Sequence, residues 1–232
     1  MSTMSAAESE TGEAYREAQR ESRGWTARAE GRLLVRMAAR LPPRVTPDHL
    51  TALGLAGMLL AGAAYALCGR HSLLLHVANL GLLVNWLGDS LDGTLARYRG
   101  KLRPRYGFYV DHVVDAFGAA AVLGGLAVSG MMSPVLASVV LVAYLLFSVH
   151  LYLQTHVLGR FRMSYGRVGG TELRILLALV NLAALACPRF AVGGLSLRLL
   201  DVVGALGGAG LLCALLTSVA RTTRELSRLE RV

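Results

Sequence analysis

The chain has 232 residues, of which 54% are hydrophobic and 17% are charged, and its mean hydropathy is +0.49. An ordinary soluble domain is excluded, because the apolar residues are gathered in long blocks. The formal net charge of +9 comes from short basic segments between these blocks, a distribution typical of membrane proteins rather than of nucleic-acid-binding proteins. We therefore expect a lipid bilayer, and no nucleic acid, as a partner.

The segment before the first apolar block is polar and divides into two parts. Residues 1–23 are rich in Ser, Glu and Ala, so we expect a disordered tail. Over residues 24–41, arginines recur every four positions and an apolar stripe is formed by Leu34, Met37, Ala38 and Leu41. This pattern predicts an amphipathic helix that lies on the cytoplasmic leaflet of the membrane. A solvated helix without membrane contact is the alternative.

Six apolar blocks follow, and each meets or approaches the length of about 20 residues that a membrane-spanning helix needs. None of them alternates apolar and polar residues with a period of two, so strands are not expected within them. The predicted fold is an all-α integral membrane protein, with six transmembrane helices preceded by a cytoplasmic interfacial amphipathic helix. The predicted helical cores cover residues 50–68, 72–96, 108–130, 134–158, 170–187 and 199–220.

The arginines predict the orientation of these helices. The first, third, fifth and last of the segments that flank the blocks are basic, whereas the remaining loops hold only Arg70, Arg189 and Arg198. By the positive-inside rule, both termini and the end of the second helix face the cytoplasm. The expected location is the bacterial inner membrane, with one catalytic domain over residues 46–222 and a cytoplasmic tail over 223–232.

Charged residues interrupt the apolar pattern in the stretch GDSLDGTLAR, residues 88–97, and again at the start of the third block. Asp89 and Asp92 are three residues apart, so in a helix they lie on the same face. Asp111 and Asp115, four residues apart, do the same on the next helix. If the two helices are antiparallel neighbours, the four carboxylates converge at one depth, and divalent cations would relieve their repulsion.

The types of the neighbouring residues suit a metal-bound phosphate ligand. Carboxylate oxygens are hard ligands and favour Mg²⁺ or Mn²⁺ over zinc, and two such ions suit phosphoryl transfer. Gly93, Ala96 and Gly107 could let a bulky ligand approach the carboxylates, and Arg97 could pair with phosphate oxygens. Helix packing is the alternative explanation for the glycines, and a solvated cap or ion pair is the alternative for an isolated D-x-x-D pair.

The whole constellation, D-x-x-D-G-x-x-A-R, nine residues, then G-x-x-x-D-x-x-x-D, resembles the signature of the CDP-alcohol phosphatidyltransferases. In this chain it consists of Asp89, Asp92, Gly93, Ala96, Arg97, Gly107, Asp111 and Asp115. The six-helix layout and the N-terminal amphipathic helix are also similar to that family. The resemblance implies a homodimeric, metal-dependent transferase of phospholipid biosynthesis. Such an enzyme moves a substituted phosphate from a CDP-linked donor, here expected to be CDP-diacylglycerol, to an alcohol hydroxyl and releases CMP.

The resemblance also implies a role for each matching residue. The four aspartates would hold two divalent ions, Mg²⁺ or Mn²⁺, and Asp115 would be the catalytic base for the acceptor hydroxyl. Binding of the cytidine diphosphate would involve Asp92, Gly93, Ala96, Arg97 and Gly107. Asp48 stands in a Pro-Asp pair where members often carry Pro-Asn, and it is left outside the predicted site.

The motif does not determine the acceptor. Arg174 and the arginines of residues 160–167 would suit a phosphorylated acceptor, although the positive-inside rule or an ion pair also explains them. His112 and Glu172 stand in short D-H and T-E elements that resemble the choline and ethanolamine phosphotransferases, which join a CDP-amino alcohol to diacylglycerol. A six-helix membrane carrier is the competing class, but a carrier predicts a charged site near the bilayer midplane rather than at one face.

Overall fold

The computed structural model describes residues 27–158 and 169–230. Their elements are α1 (Ala27–Arg40), α2 (Pro47–Cys68), α3 (Leu74–Tyr98), α4 (Pro104–Val128), α5 (Pro134–Leu158), α6 (Gly170–Ala186), β1 (Arg189–Val192), β2 (Leu195–Arg198) and α7 (Leu199–Leu229). Helices α2 to α7 fall on the six predicted apolar blocks. The predicted disordered tail, the first residues of the predicted amphipathic helix and the arginines of residues 160–167 lie outside the described residues.

Four of the described helices are long and apolar enough to cross a membrane, namely α2, α4, α5 and α7. Helix α6 has 17 residues, fewer than the roughly 20 that a crossing needs. Helix α3 has 25 residues, but its second half carries the polar side chains of Asn85, Asp89 and Asp92. The protein is therefore an α-helical integral membrane protein with several apolar helices, and six crossings remain a prediction.

A short antiparallel hairpin connects α6 to α7, where the all-α prediction expected no strand. Arg189 of β1 pairs with Arg198 of β2, and the turn between the strands consists of Gly193 and Gly194. These glycines have φ of +57° and +84°, and positive φ at both turn positions is typical of tight hairpins. The all-α prediction is wrong at this connection, because strands of four residues are too short to show a clear alternation.

Buried apolar side chains form two clusters. The larger one joins α2, α3, α4 and α6 with the starts of α5 and α7. The smaller one attaches α1 to α2 and α3, where Leu34 and Ala38 of α1 pack against Leu50, Leu91 and Leu95. The stripe that the sequence predicted to face lipid is thus largely covered by protein. Sequence cannot separate these cases, because an apolar helix face is the same whether lipid or protein covers it. The interfacial location of α1 stays a prediction.

Glycines bring α2 and α3 into backbone contact. A Cβ added to Gly88 would lie 2.6 Å from the Cα of Gly54, and one added to Gly81 would lie 2.6 Å from the carbonyl oxygen of Gly57. Side chains larger than hydrogen at these positions would push the helices apart. Close approach through small residues is common between membrane helices. Here it lets polar side chains of the two helices reach one another beside the candidate site.

Candidate active site

A cavity lies where α2 begins, α3 ends and α4 begins, on the side of the molecule that the arginines predict to be cytoplasmic. Its wall includes all five residues predicted to bind cytidine diphosphate, together with a second motif aspartate, Asp111, and with His112. The five are Asp92, Gly93, Ala96, Arg97 and Gly107. The structure therefore assembles most of the sequence motif around one concave surface.

Asp92 is the most buried carboxylate of this wall, and the residue is only 6% exposed. The hydroxyl of Thr51 donates a hydrogen bond to Asp92 Oδ2 at 2.8 Å, and the backbone N–H of Gly93 donates to Oδ1 at 2.5 Å. Thr51 belongs to α2, so its bond depends on the close glycine contact between α2 and α3. Two donors thus fix the direction in which the carboxylate points.

Asp111 of α4 lines the same cavity, and its charge interacts with that of Asp92. Asp89 also interacts electrostatically with Asp92. Carboxylates held near one another repel, and a bound cation removes that repulsion. The donor set consists of oxygens alone, so its chemistry fits Mg²⁺ or Mn²⁺.

The four motif aspartates do not form one compact cluster. In the described part of the chain, no group of three or more His, Cys, Asp or Glu side chains is arranged to hold a metal ion. Asp92 and Asp111 line the cavity, whereas the described lining does not include Asp89 or Asp115. Convergence of all four carboxylates on two ions therefore stays a prediction.

Asp89 is paired with α6. Arg174 Nη2 donates to Asp89 Oδ2 at 2.7 Å, and Arg174 Nε donates to Asn85 Oδ1 at 2.7 Å. Asn85 is buried and donates from Nδ2 to the carbonyl oxygen of Gly54 at 3.0 Å. These bonds link α2, α3 and α6. Arg174, predicted to bind the acceptor, thus lies directly beside the first aspartate of the motif.

Asp115, the predicted base, is exposed on α4 and interacts electrostatically with Tyr144 and Tyr152 of α5. Tyr144 also interacts electrostatically with Arg174. The predicted base and the predicted acceptor-binding arginine therefore lie near the same tyrosine. This region adjoins the cavity without sharing its wall.

The other two predicted acceptor residues have different surroundings. His112 lines the cavity, where its ring packs against those of Phe108 and Tyr152 at centroid distances of 4.2 and 4.6 Å. Glu172 accepts a hydrogen bond from the backbone N–H of Gly169 at 3.0 Å, which helps to cap the start of α6. His112 is thus placed at the site, and Glu172 has an evident structural role.

The wall residues that sequence reasoning did not assign to the site include Asp48, Thr51 and Arg103. Arg103, just before α4, forms an ion pair with Asp48 of α2, and its guanidinium carbon lies 4.1 Å from the centroid of the Tyr106 ring. The Pro-Asp pair in place of Pro-Asn was the sequence signal at Asp48. Thr51 and Arg103 gave no signal, because their contacts join residues 41 and 55 positions apart.

Comparison with known proteins agrees with this geometry. The pattern that describes the CDP-alcohol phosphatidyltransferases matches residues 44–219, which include the whole motif and the helices from α2 to α6. The chain is also similar to archaetidylinositol phosphate synthase of Pyrococcus horikoshii, with 33% identity over 88 residues. The matched segment is 38% of this chain and spans 44% of the length of that relative. The chain belongs to the CDP-alcohol phosphatidyltransferase family.

Proposed function

We propose that this protein transfers a substituted phosphate from CDP-diacylglycerol to a polar alcohol, with release of CMP. The observation that carries the proposal is the cavity, in which all five residues predicted to bind cytidine diphosphate meet Asp111. Family membership supports transfer of a phospholipid head group. The product would be a phospholipid, formed at the predicted cytoplasmic face of the membrane.

Small residues and one arginine suit the cavity to a nucleotide. A Cβ added to Gly107 would meet no atom of the described residues within 4 Å, so helix packing does not explain this glycine. Gly93 and Ala96 line the same cavity, and their small size leaves room for a ligand. Arg97 donates from Nη2 to the hydroxyl of Thr94 at 3.3 Å, which directs its guanidinium along the wall. A guanidinium there is suited to phosphate oxygens.

Gly107→Val tests whether this cavity is the donor site. Gly107 lines the cavity and a Cβ there would meet no described atom within 4 Å, so the valine side chain should occupy donor space. We therefore expect binding of a CDP-linked donor to weaken at least about tenfold, or ~1.4 kcal/mol. Calorimetric titration of the purified protein with the donor in Mg²⁺ measures this. Gly124→Val is the matched control, since Gly124 is also open on α4 and does not line the cavity. Equal donor affinity in the two variants would contradict the assignment.

Two Mg²⁺ or Mn²⁺ ions are the proposed cofactors. Asp92 and Asp111 would hold them from the cavity wall, and Asp89 and Asp115 would complete the oxygen ligands. Bound there, the ions would neutralise the charge of the diphosphate. Thr51 and the backbone of Gly93 keep the Asp92 carboxylate aimed, which limits the reorganisation needed for binding.

Asp115 would take the proton from the acceptor hydroxyl as its oxygen attacks phosphorus, and the bond between phosphorus and the CMP oxygen breaks. Positioning and charge neutralisation supply most of the catalysis in phosphoryl transfer, and the base adds a further share. The closeness of Asp115 and Arg174 to Tyr144 supports an acceptor site between α4, α5 and α6. The donor cavity and this acceptor site would meet at the motif aspartates.

A phosphorylated alcohol such as inositol phosphate is the proposed acceptor. Arg174 provides a guanidinium beside Asp89, and the relative from Pyrococcus horikoshii is named for synthesis of archaetidylinositol phosphate. The alternative of a CDP-choline or CDP-ethanolamine donor with diacylglycerol depended on His112 and Glu172. His112 lines the cavity, whereas the bond of Glu172 to Gly169 is explained by helix capping. A carrier remains the less favoured class, because the carboxylates gather beside one end of the helices.

Arg174→Lys separates a phosphorylated acceptor from an unphosphorylated one. Lysine keeps the charge but loses the planar guanidinium, so we expect the KM for inositol phosphate to rise about tenfold while the KM for the CDP-linked donor stays within about twofold. Steady-state CMP release, with inositol as the comparison acceptor, measures the effect. Arg189→Lys in the hairpin is the matched control. Loss of the same size for both acceptors would limit Arg174 to holding Asp89.

We also propose that the protein crosses the bacterial inner membrane six times, has both termini in the cytoplasm and forms a homodimer. Helices α3 and α6 would supply the two crossings beyond the four that length and composition support. On α7, Cβ atoms added to Gly207 and Gly210 would meet no described atom within 4 Å, so this strip of the helix is open to lipid or to a second copy.

A further inference from the structure

Glu30, near the start of α1, lies before residues 44–219 that the family pattern matches. Its carboxylate accepts hydrogen bonds from two other helices. On α3, Trp86 Nε1 donates to Oε1 at 2.8 Å and the Ser90 hydroxyl donates to Oε1 at 3.2 Å. On α6, the Thr171 hydroxyl lies 2.9 Å from Oε1 and 3.1 Å from Oε2. One side chain of α1 therefore joins α3 to α6.

The three donors are close in sequence to Arg174 and to its two partners on α3, Asn85 and Asp89. On α3, Trp86 directly follows Asn85, and Ser90 directly follows Asp89. On α6, Thr171 lies three residues before Arg174, which places both on one side of the helix. The bridge through Glu30 and the direct bond from Arg174 are thus two successive links between the same two helices.

A carboxylate is well suited to this junction. The indole N–H of Trp86 can only donate, and both hydroxyls donate here as well, so all three need an acceptor. Hydrogen bonds to an ionised acceptor are roughly twice as strong as those between neutral groups. Removing the acceptor would leave half-buried donors that had converged on one point, which costs more than the net value of the bonds.

We propose that Glu30 is a positioning residue, which sets the spacing between α3 and α6 at which Arg174 meets Asp89 and thereby aligns the acceptor side of the site. The inference rests on the proposed function, because it assigns Asp89 and Arg174 to the reaction. The described cavity wall includes neither Glu30 nor any of its three partners. Donor binding should therefore be insensitive to Glu30, and use of the acceptor should depend on it.

Three variants of the full chain test this role, namely Glu30→Ala, Glu30→Gln and Arg32→Ala. Glutamine keeps an acceptor oxygen, and Arg32 is exposed on the same helix, so its variant controls for effects on α1 as a whole. We expect Glu30→Ala to lower kcat/KM for the acceptor at least about tenfold, with the Kd for the CDP-linked donor within about threefold of wild type. Glu30→Gln should recover most of the loss, and Arg32→Ala should match wild type.

Hydrogen exchange in Mg²⁺ gives a second readout that does not depend on turnover. In Glu30→Ala, amides over residues 171–176 should exchange faster than in wild type, while those of α5 stay unchanged. Unchanged exchange and kinetics in Glu30→Ala would overturn the proposal. So would parallel loss of donor binding, or a glutamine variant as impaired as alanine. If wild type binds the donor but uses no acceptor, the proposed function fails, and the exchange result still decides the role of Glu30.

Discussion

Asp115→Asn should bind the CDP-linked donor with nearly wild-type affinity while its kcat falls by about 10²- to 10⁴-fold, the usual contribution of a catalytic base. The amide is similar in shape to the carboxylate but does not take up a proton at neutral pH. The amide oxygen can still complete the metal ligands, and Asp115 lies outside the described wall of the donor cavity, so donor affinity should change far less than kcat. Calorimetric titration gives the affinity, and steady-state CMP release gives kcat.

Asp201→Asn is the control for this experiment. Asp201 begins α7, and its carboxylate accepts a hydrogen bond from the backbone N–H of Ser133 at 2.6 Å, away from the cavity. An amide oxygen can still accept that bond, so this variant should keep wild-type turnover. Wild-type kcat in Asp115→Asn would exclude Asp115 as the base.

Asp92→Asn should lose at least about 100-fold in kcat/KM for the donor, because it removes a negative charge from the electrostatic centre of the site. The amide oxygen can still accept the bond from Thr51, so the contact between α2 and α3 should survive. Unlike Asp115→Asn, this variant should also lose metal-dependent binding of the donor. Titration with the donor in Mg²⁺ and in EDTA separates the two effects.

Thr51→Val provides a graded comparison for Asp92→Asn. It leaves the Asp92 charge in place and removes the hydroxyl that aims it, and loss of such a supporting hydrogen bond typically costs about 10- to 100-fold in metal affinity. The expected order of metal-dependent donor binding is wild type, Thr51→Val, then Asp92→Asn. Asp92→Asn that binds the donor as wild type does would show that this carboxylate has no part in holding it.

Hydropathy predicted where the helices lie, but it did not predict where all of them begin and end. The fifth apolar block, predicted over 170–187, is helix Gly170–Ala186. Helix α2 starts at Pro47, three residues before the predicted core, because Thr46 and His49 form a polar capping box that hydropathy ignores. Helix α7 continues to Leu229, since charged residues can extend a helix beyond the apolar segment.

Asp92, Gly93, Ala96, Arg97 and Gly107 line one cavity, but the spacing of the motif could not predict which carboxylates share a partner. Asp89 and Asp92 are three residues apart, yet Asp92 is held by Thr51 of α2 and Asp89 by Arg174 of α6. Residues three apart share a helix face but point about 60° away from each other, so one side chain can contact α2 and the other α6. The sequence predicts which helix face a side chain lies on, whereas its contacts depend on how the helices pack.

The contacts of Glu30 and Arg103 were also beyond sequence reasoning. Glu30 bonds to residues 56, 60 and 141 positions away, and Arg103 pairs with a residue 55 positions before it. The local pattern of apolar and polar residues does not indicate partners this far away in the sequence. The burial of Leu34 and Ala38 of α1 against α2 and α3 depended on the same long-range packing.

The most direct test of the proposed function is CMP release and lipid formation by the purified protein, followed by mass spectrometry in Mg²⁺ and in EDTA. CDP-diacylglycerol would be paired with inositol phosphate, glycerol phosphate, inositol and serine, and CDP-choline or CDP-ethanolamine with diacylglycerol. The account predicts metal-dependent CMP release and a new phospholipid from CDP-diacylglycerol with a phosphorylated alcohol, and at least about 100-fold slower formation of both by Asp115→Asn. Release only from a CDP-amino alcohol with diacylglycerol, or release unaffected by EDTA, would contradict it.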